Sequence, residues 1–118
     1  MQDKIPELKI ENNQVVLPEI DVPLKINGEI QTIKMRKISA GLRNQIKKKY
    51  TKTSYKGGEP TVDIDEGGYQ EDVLSKAIIE APFDYSIAGI RNLTGEVIDY
   101  LFLKYVEEAE PSEKKNEE

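Results

Sequence analysis

The chain has 118 residues, with 22 acidic and 17 basic side chains, and contains no cysteine, histidine or tryptophan. Its length fits one small domain, and 37% apolar against 33% charged residues allow a core that is real but small. Without Cys or His there is no disulfide, no thiolate or imidazole metal site and no Cys- or His-based catalysis, so an enzyme here would have to use Asp, Glu, Lys, Ser or Tyr alone.

The charged start Met1-Gln2-Asp3-Lys4, and the lack of any run near the roughly 18 apolar residues of a membrane span, predict a soluble intracellular protein. The net charge of -5 is segregated along the chain. Residues 1–38 balance, residues 39–60 carry six bases against Glu59 alone, and residues 61–118 carry fifteen acids against five bases. The result is a charge dipole, which bears on association more than on fold.

The first nineteen residues hold short apolar pieces, Leu8-Lys9-Ile10 and Val15-Val16-Leu17, around Asn12-Asn13. They read as an arm or as weak edge strands, kept short by Pro6 and Pro18. From Asp21, apolar residues Val22, Leu24 and Ile26 alternate up to Asn27-Gly28, a favoured hairpin turn, and Ile30 to Ile38 returns. A strict two-residue loop would pair Ile26 with Glu29 and Leu24 with Gln31, mixing the faces. A three-residue loop or a bulge near Thr32 is therefore expected.

Ser39 is an N-cap candidate for a helix whose stripe is Leu42, Ile46 and Tyr50. Thr53 to Pro60 reads as a polar loop. Asp63 to Gly68 reads as an acidic start to a second helix that runs to Ala81, with Pro82 as its stop. A loop or short helical turn covers 86–90. Thr94 then caps a last helix whose inner face is Val97, Ile98, Leu101, Phe102 and Tyr105, with Tyr100 and Leu103 on the far side. The expected fold is α+β and mostly helical: an N-terminal β-hairpin followed by three to four helices. It forms one globular domain over 20–108, with a disordered acidic tail over 109–118.

No motif carries catalysis or cofactor binding. Asp63-Ile64-Asp65-Glu66-Gly67-Gly68 imitates the start of a calcium loop, but its twelfth position is Leu74 where a bidentate Glu is needed. Gly57-Gly58 and Gly67-Gly68 lack the Gly-Lys-Ser/Thr that completes a phosphate loop. The basic residues Lys34, Arg36, Lys37, Arg43, Lys47, Lys48, Lys49, Lys52 and Lys56, with Tyr50 and Tyr55 among them, raise a second reading, a nucleic-acid-binding accessory protein. The acidic balance of the whole chain, pI about 4.9, weighs against it.

Three segments carry a family resemblance: Ile33-Lys34-Met35-Arg36-Lys37-Ile38-Ser39 leading into a basic helix, Val73-Leu74-Ser75-Lys76-Ala77-Ile78-Ile79, and Leu93-Thr94-Gly95-Glu96-Val97-Ile98-Asp99-Tyr100-Leu101. In this order, over about residues 20–108, the chain resembles the small tail assembly chaperones of long-tailed bacteriophages and prophages. The resemblance implies a non-enzymatic protein of the host cell cytoplasm, mostly helical with a β-hairpin. Such a protein coats the tape measure protein, helps recruit tail tube subunits and self-associates. The contact residues expected on that basis are Tyr100, Phe102 and Leu103, with Arg43, Lys47 and Lys48 supplying the charge.

Overall fold

The computed structural model describes residues 5–109. The expected acidic tail beyond Ala109 lies outside them, while Glu107 to Ala109 belong to the last helix. The chain is a mixed α+β protein, about 38% helix and 35% strand, with seven strands in three small sheets and four helices among the described residues. The expectation of one hairpin followed by a mostly helical body is therefore corrected. Two stretches account for it: residues 51–64, where a polar loop over 53–60 and a helix start from Asp63 were expected, and residues 78–80, where the end of a helix was expected, all form strands.

The N-terminal piece is a hairpin of β1 (Lys9–Glu11) and β2 (Gln14–Val16), turned by Asn12 and Asn13 at positive φ. The central sheet has the order β3 (Glu19–Ile26), β4 (Glu29–Arg36), β7 (Ile78–Glu80). Asn27 (φ 53°) and Gly28 (φ 84°) make the two-residue turn between β3 and β4, the left-handed pair that a twisted hairpin needs.

The register is the strict one, with Ile26 opposite Glu29 and Val22 opposite Ile33, so no bulge falls near Thr32. The irregularity lies instead between β4 and β7, where the register shifts between Lys34 and Met35. The mixed face is tolerated because burial fades toward the turn. Ile20, Val22, Ile33 and Met35 are buried, Leu24 and Ile26 half-buried, and Gln31 and Glu29 exposed. The turn end projects past the core, where polar groups remain hydrated.

Helix α1 (Ala40–Lys49) starts where Leu42 N donates to Ser39 Oγ at 3.2 Å, and Lys47, Lys48 and Lys49 occupy its last turn, the favourable end for cations. Next come β5 (Thr51–Lys56) and β6 (Glu59–Ile64), a second hairpin turned by Gly57 and Gly58 at positive φ. Helix α2 (Glu66–Ala77) is capped by Asp65, α3 (Ile87–Ile90) by Ser86, and α4 (Gly95–Ala109) by Thr94 through Val97 N at 3.3 Å.

Helix α2 stops at Ala77, and Ile78 to Glu80 pair with β4 at its inner edge. The core lies between the inner face of β3–β4 and helices α2 and α4. It contains Val73, Leu74, Ala77, Ile90, Ile98, Leu101 and Tyr105 against the sheet residues.

The strict register gives two isoleucines of β4 opposite fates. Ile33→Ala should cost about 2–5 kcal/mol in urea unfolding, as a buried isoleucine lost from a packed core. Ile30→Ala, at 70% exposure, should change stability by less than about 0.5 kcal/mol. Equal losses at both positions would mean the pairing is shifted.

Candidate partner-binding surface

Two tyrosines of α4 fasten the helix to backbone at separate points. The Tyr105 hydroxyl accepts from Ile38 N at 3.1 Å, in the linker between β4 and α1. The Tyr100 hydroxyl donates to the Pro23 carbonyl at 2.5 Å on β3, an edge strand of the central sheet. A groove of about 390 Å³ opens beside this second bond, lined by Pro23, Leu24, Lys25, Ile30, Glu96, Val97 and Tyr100. Its walls are apolar apart from Lys25 and Glu96, and Ile30 stands exposed at its rim. Helical periodicity extends the Glu96–Tyr100 face of α4 to Leu103, which is 54% exposed, with Asp99 exposed nearby.

The six expected contact residues do not form one site. Leu103 is exposed and Tyr100 lines the groove, as a contact surface requires. Phe102 is half-buried, edge-on to Tyr69 with centroids 6.1 Å apart and 6.5 Å from Tyr105, so it packs the helix rather than presenting a surface. Lys47 and Lys48 are exposed at the end of α1, while Arg43 is half-buried and engaged. Helices α1 and α4 each pack on α2, which divides the basic group from the α4 group.

The nine-residue basic patch is broken up in the same way. Lys34 pairs with Asp21 at 3.5 Å, Arg36 with Glu19 at 2.7 Å and Lys49 with Asp72 at 3.0 Å, leaving those cations less free for phosphates. Among the described residues no group of three or more Asp or Glu is placed to hold a metal ion. No helix among them is long and apolar enough to cross a membrane.

Sequence reasoning missed Asp72, whose side chain is 1% exposed. Its Oδ2 accepts from Lys49 Nζ at 3.0 Å and from the Tyr50 hydroxyl at 3.1 Å, and its Oδ1 accepts from Lys76 Nζ at 2.9 Å. Burial alone pushes this carboxyl up, but the bonds from Lys76, Lys49 and Tyr50 outweigh it and hold the group below its ordinary value. The same contacts raise Lys49, through its bond to Asp72, while burial and the bond to Asp72 raise Tyr50. Three donors on one buried carboxylate make a structural pin, not an acid-base catalyst.

Comparisons with protein-family models, with curated proteins and with solved structures return no match.

Asp72 has a lowered pKa in the folded chain, so its stabilisation is complete above about pH 4 and lost as pH falls through the lowered value. Asp72→Asn should cost about 2 kcal/mol at pH 7 and flatten the acid limb of the stability curve. Identical acid limbs in urea titrations of the two proteins would remove Asp72 from this role.

Proposed function

We propose that the chain is a bacteriophage tail assembly chaperone. In this role it is a non-enzymatic protein that binds the tape measure protein, shields its apolar helical surface and helps recruit tail tube subunits in the host cell cytoplasm. The observation that carries the proposal is the apolar groove between the β3 edge and α4, with Ile30 and Leu103 exposed on the elements that form it. Exposed apolar residues arranged along one groove are what a protein needs to cover apolar surface on a larger partner.

Three further features support it. The segments 33–39, 73–79 and 93–101 resemble the chaperone family, and the first and last of them supply Ile33, Met35, Tyr100 and Leu101 to the elements around the groove. Glu19 and Asp72 are taken up by ion pairs and Asp65 by a helix cap, which are structural roles. The basic end of α1 and the acidic outer face of α4, with Glu96 and Asp99, lie on different elements around α2, an arrangement suited to head-to-tail self-association.

Co-expression with a coiled-coil tape measure protein tests the proposal. The soluble fraction of that protein should rise with the wild-type chain. An Ile30→Asp, Leu103→Asp double variant should lose most of the rise, about tenfold, with an unchanged melting temperature, because both side chains are exposed. If the partner is no more soluble with the wild-type chain than without it, the proposal fails.

A further inference from the structure

The hairpin of β5 and β6 is built as an amphipathic ribbon. Opposed residues share a face, so Thr51 with Ile64, Thr53 with Val62 and Tyr55 with Pro60 make one side, and none of these six is charged. The other side sets Lys52 opposite Asp63 and Ser54 opposite Thr61. The charged side is exposed at Lys52, Thr61 and Asp63, as expected for polar groups, but the uncharged side is exposed as well, with Tyr55 72%, Val62 60% and Ile64 44% accessible.

A two-stranded ribbon is marginal in water unless one of its faces is covered. This ribbon is held at its base, where Asp65 N donates to the Tyr50 carbonyl at 2.8 Å and the Thr51 hydroxyl to the Lys47 carbonyl at 2.6 Å. Residues 50 and 65 are thus bonded neighbours, and most of the described side chains between them are exposed.

The chain shows how it covers such a face elsewhere. The inner face of the β3–β4 hairpin is covered by α4, a helix on a sheet. The β5–β6 ribbon has the same kind of face, and among the described residues no helix covers it at Tyr55, Val62 and Ile64.

We propose that the ribbon is a docking arm for one amphipathic helix of a partner, laid along Tyr55, Val62 and Ile64. This rests on the reading of the chain as a chaperone for a helical protein and adds a second contact surface to it. Six strand residues span about 20 Å, the length of about thirteen helical residues, or three to four turns. Lys47 and Lys48 stand exposed beside the base of the ribbon, so the helix that fits carries acidic side chains flanking its apolar stripe at that end.

The test repeats the co-expression with two variants of the full chain. One replaces residues 51–64 by Gly-Ser, a short link across the bonded pair Tyr50 and Asp65. The other is Tyr55→Thr with Val62→Thr, which removes the large apolar side chains and keeps residues that favour strands. Circular dichroism and thermal melts should show both folded, and both should solubilise the coiled-coil partner about tenfold less than wild type. Lys47→Glu with Lys48→Glu should weaken the effect in the same direction, and added salt, which weakens the wild-type effect, should no longer weaken that of the variant.

If the wild-type chain solubilises the partner and the ribbon variants do so equally, the docking arm is overturned while the chaperone function stands. If the variants keep their chaperoning and lose only a self-association seen by light scattering in the wild type, the ribbon contacts a second copy and the helical partner is overturned. If the wild-type chain has no effect, both proposals fall together.

Discussion

Asp72 sits in the middle of α2 with its side chain almost wholly removed from water, and each of its oxygens is taken by a donor from a defined place. An unpaired carboxylate in that position would cost several kcal/mol, so the helices are constrained to keep Lys49, Tyr50 and Lys76 around it. Two of these donors are consecutive residues at the end of α1, which fixes that helix against α2 in direction as well as in distance. Tyr50 then lies so close to α2 that a Cβ at position 68 would meet its ring at 2.5 Å, and Gly68 is what permits the approach. Because Tyr50 also accepts from Asp65 N, the orientation imposed by the carboxylate passes to the base of the ribbon. One buried charge therefore sets where β5 and β6 leave the body.

The far side of the molecule is fixed by tyrosine hydroxyls instead of a charge. Tyr100 reaches backbone on β3 and Tyr105 on the β4–α1 linker, so α4 is tied by one polar bond to the sheet and by one to the linker, as well as through Ile98 and Leu101. This accounts for a helix that is apolar on more than one side. Its inner face is core, Tyr100 turns to the sheet edge, and Leu103 is left over. Neither burial of the whole helix nor exposure of the whole second face describes it. The groove exists because Tyr100 holds α4 beside the β3 edge at one point, while Leu24, Lys25 and Ile30 continue past that point.

What could be read from the sequence was local. Ser39, Thr94 and the Asn27-Gly28 turn act within a few residues of themselves, and the structure places each as its chemistry dictates. Ile78 to Glu80 was not readable, because a short apolar run following a helix keeps helical period until a distant strand, here β4, takes its backbone. Residues 51–64 looked like a loop because Thr, Ser, Lys and Gly dominate the middle. The alternation of Thr51, Thr53, Tyr55 and Pro60, Val62, Ile64 becomes visible only once Gly57-Gly58 is treated as a two-residue turn. Asp72 was one acid among many, and its burial depends on α1 arriving from outside the window. The groove likewise joins residues 23–30 to 96–100, a closure no local pattern contains.

Both exposed apolar surfaces adjoin strand edges, yet those edges are poor sites for strand addition. In a two-residue hairpin the pair flanking the turn is hydrogen-bonded and the pairs then alternate, so Pro23 and Pro60 fall at positions whose N–H would point outward. Each proline thus removes an outward donor without costing its own ladder a bond. At Pro23 the outward carbonyl is occupied as well, by Tyr100. A chain that blunts the backbone of its edges while leaving Ile30, Tyr55 and Val62 bare is protected from edge-to-edge aggregation but still able to bind through side chains. Recognition by faces selects partners that present a complementary apolar stripe. A helix presents one without offering free backbone, which is why side-chain docking of helices, and not strand exchange, is the mode of contact these surfaces favour.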